Sequence, residues 1–235
     1  MVWRITPEVG TNDTTIPDKT AAEGYDEQAL ATGWLAPQVV FGLAYEYIQP
    51  RETLLDLGIG SGLSSILFHK AGLQVYGLDA SADILEVCAR KNFATELKQH
   101  DLRNLPLPYA DRSFDHILCV AVLNSFPDLG GMFAEVRRML KLQGIFAFTV
   151  EEQKPGDEDS YVINRVELSE KPRSGSAVRL YRHSLGSVAS WLDKNGFTQL
   201  KALEFLAFSY PAEARNIYFK AYIVGKSEEG SVFAD

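Results

Sequence analysis

Residues Leu54 to Ser65 read LLDLGIGSGLSS, and the fold of this 235-residue chain turns on that stretch. Leu54, Leu55 and Leu57, interrupted only by Asp56, have the composition of a short buried strand. Gly58, Gly60 and Gly62 follow at alternate positions, so the main chain there carries few side chains and can bend through conformations other residues resist. A helix is expected over 61–72, SGLSSILFHKAG, closed by Gly72. Strand, glycine turn and helix in that order belong at the carboxyl edge of an open α/β sheet, where such sheets bind their ligands.

Three ligands compete for the turn. A phosphate loop needs Lys and then Ser or Thr directly after its last glycine, and Leu63 and Ser64 stand there instead. A dinucleotide fingerprint needs glycines at its first, third and sixth positions; counted from Gly58, Leu63 holds the sixth. S-adenosylmethionine carries no phosphate and needs close backbone approach with a carboxylate at the strand end, which Asp56 offers. The next apolar stretch, VYGLDAS, ends in Asp79 followed by Ala80; an acid at that tip can accept both hydroxyls of a ribose. Dinucleotide enzymes use the same device, so Asp79 alone leaves both readings open.

The remainder of the chain alternates strand and helix. Strands are expected at ETLLDLG, LQVYGLD, ATELKQHD, SFDHILCVAVLNS and IFAFTVEE, with helices between them, one capped by Ser81. The fourth strand is apolar on both faces, as in a parallel sheet covered on each side. After Glu152 the pattern turns polar and hairpin-like, and then a helix over LGSVASWLDKNGF precedes two closing strands. We expect a flexible arm over 1–24, a single domain over 25–226 with an insertion at about 153–183, and a tail over 227–235.

Two longer resemblances now carry weight. Asp-x-Gly-x-Gly-x-Gly after an apolar strand resembles motif I of the class I S-adenosylmethionine-dependent methyltransferases. Asp101, the Leu105-Pro106-Leu107-Pro108 turn and Ser113-Phe114-Asp115 resemble the matching link of the small-molecule "type 11" kind, as does the later helix with Glu135 and Arg138. Leu142 and Gln143 depart from the Pro and Gly usual in that family's next turn. AEGYDEQALATGWLAPQVV and YRHSLGSVASWLDKNGF are similar to segments of the methyltransferases typified by the Williams–Beuren-region protein and its bacterial relatives.

The resemblance implies a Rossmann-like, doubly wound α/β fold with seven strands, mostly parallel, the last antiparallel. It implies S-adenosylmethionine as cofactor, leaving S-adenosylhomocysteine as product, and a small-molecule acceptor. The cofactor residues it points to are Tyr25, Asp56, Gly58, Gly60, Ser61, Gly62, Asp79, Ala80, His100, Asp101, Leu102 and Val120. Tyr25, helped by Trp34, would close over the sulfonium by aromatic-face attraction, and Asp101 would face the adenine amino group with His100 packed beside it. Val120 to Ser125 would line the transfer site. Relatives with a basic pair there often read His-His, whereas this chain has Asn124 and Ser125, so Asn124 and His183 are the candidate catalytic residues.

Bulk properties narrow the class. A net charge of −8, with no Lys/Arg-rich run, argues against a nucleic-acid partner. No apolar run reaches the roughly 20 residues needed to span a bilayer, so no membrane partner is expected. Cys88 and Cys119 sit in apolar runs without metal spacing, and the four histidines are scattered, so no metal site is expected. A cytoplasmic setting follows from the two unpaired thiols and the absence of a signal-like start. No feature assigns an oligomeric state. Two rival readings stay open: a catalytically silent S-adenosylmethionine-binding module acting as partner or sensor, and a nicotinamide oxidoreductase.

Overall fold

The computed structural model describes residues 2–5, 22–166, 177–210 and 215–227. The short strand β1 (Val2–Ile5) comes first. Then α1 (Tyr25–Ala31) and α2 (Ala36–Ala44) lead into the alternation β2 (Thr53–Leu57), α3 (Ser65–Lys70), β3 (Gln74–Asp79), α4 (Ala82–Arg90) and β4 (Ala94–Gln99). It continues through β5 (Phe114–Cys119), α5 (Gly130–Met139) and β6 (Leu140–Val150). The hairpin β7 (Ser160–Val166) and β8 (Ala177–Tyr181), then α6 (Leu185–Lys194), β9 (Phe197–Tyr210) and β10 (Arg215–Lys226), complete the chain.

Seven strands form one sheet in the order β4-β3-β2-β5-β6-β10-β9. β10 runs antiparallel to both β6 and β9, and the pairs among β2 to β6 are parallel. The expected seven-stranded, doubly wound sheet with its last strand antiparallel is therefore the fold. From β2 the chain builds outward one way through β3 and β4, then crosses to β5 on the other side. The tips of β2 and β5 thus flank the switch point, where a crevice opens in such sheets.

Two cores cover the sheet. Leu55, Leu57, Phe146 and Phe148 point to the face covered by Phe133 and Val136 of α5 and Val188 of α6. Leu54, Val75, Leu118 and Ala147 point to the opposite face, against Val40 of α2, Phe68 of α3 and Leu85 of α4. Alternate residues of one strand therefore enter different cores, which is why the central strands read apolar throughout. Ser81 caps α4 by accepting the Ile84 N–H, and Ser184 caps α6 by accepting that of Ser187.

Two differences from the sequence expectation have physical causes. The helix expected from residue 61 begins only at Ser65, because Gly60 and Gly62 hold φ of 55° and 86° and the chain is still turning. β6 begins at Leu140 rather than Ile145: without Pro-Gly at 142–143, the chain passes straight from α5 into the strand, and Leu140 pairs with Phe114. β1 joins β7 and β8 in a separate three-stranded sheet, with Trp3 opposite Arg165. Residues 6–21 of the expected arm, 167–176 of the insertion and 228–235 of the tail lie outside the described residues. Among the described residues no helix is long and apolar enough to cross a membrane.

Candidate active site

The glycine turn sits at the tip of β2, and its three glycines do different work. A Cβ on Gly58 would lie 2.5 Å from the Val122 side chain, and one on Gly62 would lie 2.5 Å from Phe93. At Gly60 such an atom would meet nothing among the described residues nearer than 4.0 Å, so the turn is open toward them there. Gly58 and Gly62 are sites of close packing, and Gly60 is the point where bare main chain faces space.

Asp79, at the tip of β3, reaches across to this turn. One of its carboxylate oxygens accepts the Gly60 N–H at 2.9 Å and the other accepts the Ser81 N–H at 2.9 Å. Burial nevertheless raises its carboxyl above the ordinary range. Asp56 lies deeper, 2% exposed, with Oδ2 accepting the Ser65 hydroxyl and Oδ1 without a hydrogen-bond partner among the described residues. Burial, opposed by the Ser65 bond and reinforced by the nearby Asp79 charge, pushes Asp56 up to about 6. The carboxylate expected at the strand end is thus buried, with one oxygen unpaired.

Beyond β4, the His100 N–H donates to the Asp79 carbonyl at 2.8 Å, and its ring Nε2–H donates to the Asn104 carbonyl at 2.8 Å. Asp101 holds Arg103 through both carboxylate oxygens, at 3.0 and 2.8 Å, and the arginine keeps its carboxyl below the usual range. Arg103 was not singled out from the sequence, although a basic residue two positions after an acid was there to be noticed. Ala80 lies half-buried next to Asp79, Leu102 is buried past β4, and Val120 is buried past β5.

Tyr25 opens α1 and is 36% exposed. Its neighbour Asp26, part of the Tyr-Asp pair in the resembling segment and given no role there, accepts the Ser61 hydroxyl at 2.5 Å and pairs with Lys91 at 2.5 Å. Trp34 lies elsewhere: it is buried and stacked on Phe208 at 4.5 Å between ring centres, beside Phe219. That burial makes it a core anchor on the β9–β10 side.

The carboxyl ends of β5 and β6 form the neighbouring wall. Ala121 takes the left-handed conformation, φ 59°, held by its N–H on the Thr149 hydroxyl at 2.8 Å. Asn124 is buried in the helical turn Leu123–Ser125. His183 is brought next to it: the ring, 3% exposed, donates Nε2–H to the Leu123 carbonyl at 3.2 Å and packs edge-on to Trp191. Burial lowers its pKa, and the bond to Leu123 ties the ring to the turn that carries Asn124. Glu151, just past the end of β6, is 6% exposed. It accepts Tyr161 Oη–H at 2.5 Å and Arg182 Nε–H at 2.8 Å, and the guanidinium lies 4.3 Å over the Tyr161 ring. The β7–β8 hairpin is what covers it.

The open doubly wound sheet, with a glycine turn at the switch point and acids at adjacent strand tips, has the fold of solved S-adenosylmethionine-dependent methyltransferases. Residues 55–148 match the family model described as a methyltransferase domain. The demethylmenaquinone methyltransferase of Thermotoga maritima is 37% identical over 95 residues, 40% of this chain and 41% of that protein. The chain thus spans about two fifths of the length of the first curated relatives it matches. Among solved structures, a SAM-dependent methyltransferase from Methanosarcina mazei superposes with a TM-score of 0.65 at 19% identity, over 79% of this chain and 97% of that one. Magnesium protoporphyrin IX methyltransferase from Synechocystis, solved with bound SAH, gives 0.59 at 17% identity, over 93% and 90%.

Proposed function

We propose that this chain transfers a methyl group from S-adenosylmethionine to a small-molecule acceptor, in a cytoplasmic setting. The single observation that carries the reading is the Asp79–Gly60 bond at the switch point, beside the open space at Gly60. The residues present fit the donor: the turn offers bare backbone, and the unpaired Oδ1 of Asp56 is a buried acceptor near a cationic ligand's binding region. When bound, S-adenosylmethionine supplies a methyl carbon already activated by its sulfonium.

The chain's residues would bind and align. Asp79 would accept the ribose hydroxyls, and the main chain of Gly58 to Gly62 would line the methionine part. His100, Asp101 and Leu102 would frame the adenine; the Asp101 carboxylate has lone pairs left after binding Arg103. Tyr25 would shield the sulfonium from water. Alignment of this kind is worth up to about 7–11 kcal/mol in favourable cases, so a strong base is not required. Asn124, buried in the turn past β5, would orient the acceptor, with His183 holding that turn. The small-molecule acceptor is supported by the relatives, whose names carry demethylmenaquinone and magnesium protoporphyrin IX.

A silent binding module is the second reading, favoured by the burial of His183, which leaves that ring bonded to Leu123 instead of presented as a base. Calorimetry with S-adenosylhomocysteine tests the first step common to both; absence of binding rejects both. Labelled methyl donor with a metabolite extract then separates them: methylated product supports transfer, and tight binding with no product in any extract supports the module.

A further inference from the structure

α1 is a short helix with little hold on the cores. None of its side chains is buried, and Ala29 alone packs in part against the core beneath. Its first turn nevertheless sits over the glycine turn, because Asp26 bonds two elements remote in sequence. Oδ1 accepts the Ser61 hydroxyl at 2.5 Å, and Oδ2 accepts the ammonium of Lys91, the residue that ends α4, at 2.5 Å. Ser61 is 1% exposed, so its hydroxyl is engaged with α1 and is not presented to solvent.

We propose that Asp26 is a positioning residue for the methyl donor: held by Ser61 and Lys91, it clamps α1 across the glycine turn and sets Tyr25 above the bound ligand. This rests on the donor reading given above. It reassigns Ser61, which acts on the donor through α1. A charged acceptor shared by a hydroxyl and an ammonium makes stronger bonds than neutral partners do. One such residue can therefore hold a helix that has little apolar burial of its own. A clamp that lies over the ligand must open before the ligand leaves, so its loss is read chiefly in dissociation.

The test uses the full chain with S-adenosylhomocysteine as probe. Affinity is measured by calorimetry, dissociation by stopped-flow fluorescence, and the thermal midpoint without ligand alongside. Asp26→Ala weakens binding about tenfold, the worth of a charge-assisted bond, through faster dissociation. Its unliganded midpoint stays within about 2 °C of wild type, since little packing is lost. Asp26→Asn, which keeps the Ser61 contact and loses the charge on Lys91, falls between. Lys91→Met and Ser61→Ala each weaken binding alone but add little on the Asp26→Ala background, as members of one network do.

Wild-type affinity in Asp26→Ala overturns the clamp. Tighter binding overturns it too, because Asp26 would then occupy the ligand's space. A fall of the unliganded midpoint well beyond that range, in step with lost affinity, reduces Asp26 to a folding role and overturns it likewise. A wild-type chain that does not bind the probe at all overturns the donor reading, and this proposal with it.

Discussion

The carboxylate of Asp79 accepts the Gly60 N–H at 2.9 Å, so the tips of β2 and β3 are joined through a side chain as well as through the sheet. The same carboxylate, through its other oxygen, receives the Ser81 N–H at the start of α4. Asp79→Ala therefore removes a charge-assisted acceptor from two backbone donors and, on the proposed reading, from the donor's ribose at once. Affinity for S-adenosylhomocysteine should fall by roughly 10- to 100-fold, at about 1.5–3 kcal/mol for such bonds. Calorimetry on the folded variant checks it, and affinity within twofold of wild type would remove Asp79 from the ligand.

Asp56 makes stability depend on pH in an uncommon direction. Its folded pKa, about 6, lies above the unfolded value, so the native state binds the proton more tightly than the unfolded chain does. Its stabilising contribution is complete below about pH 4 and is lost as pH rises through 6; two units correspond to about 3 kcal/mol. Other carboxylates with lowered values, such as Asp101 and Glu135, act oppositely and in more acid solution. The readout is therefore the difference between wild type and Asp56→Asn in urea melts from pH 4 to 7. That difference should shift in favour of the variant as pH rises, and a pH-independent difference would contradict the assignment.

The glycine turn predicts unequal penalties for equal substitutions. Gly58 and Gly60 both have positive φ, 75° and 55°, so alanine at either costs about 1–2 kcal/mol of backbone strain. At Gly58 the new Cβ also strikes Val122 at 2.5 Å, an overpacking cost of about 1–3 kcal/mol more. Gly58→Ala should thus be the more destabilising by urea unfolding, and Val122→Ala should recover part of the loss. Equal penalties, or no recovery, would show that Val122 does not set the close approach.

The sheet was legible because its strands carry a signal that physics makes local. Leu54 and Leu55 face different cores, so burial on both sides produces an apolar run that one line of sequence displays. Asp56, Asp79 and the glycines announced themselves as acids and bare backbone at strand ends. The contacts between distant segments did not. Asp26 reaches Ser61, 35 residues away, by the folding of α1 over the turn, and no spacing rule encodes that contact. The cover of Glu151 arrives from Tyr161 and Arg182, on a hairpin whose path sequence pattern does not specify. His183 carried a motif-like signal, yet its ring is buried on the Leu123 carbonyl, a fact of packing alone.

The Glu151–Arg182 pair yields a last prediction, one that separates the wall past β6 from the glycine turn proposed to hold the donor. Arg182 donates to Glu151 at 2.8 Å and covers the Tyr161 ring, and Glu151 is almost fully enclosed. Arg182→Met keeps much of the apolar stem but leaves a buried carboxylate short of its cation, a change that costs about 3–5 kcal/mol when a buried pair is broken from one side. Arg182 retains some exposure, so the lower end is expected. Replacing both partners, Glu151→Met with Arg182→Met, removes the unpaired charge and should restore much of the stability despite deleting more polar groups. Because this wall lies past β6 and the donor turn past β2, S-adenosylhomocysteine affinity should stay within about twofold in both variants, as expected for independent sites. Calorimetric affinity and urea midpoints on the same samples decide it: a double variant less stable than the single one, or a donor affinity that falls with Arg182, would mean the two walls work as one unit.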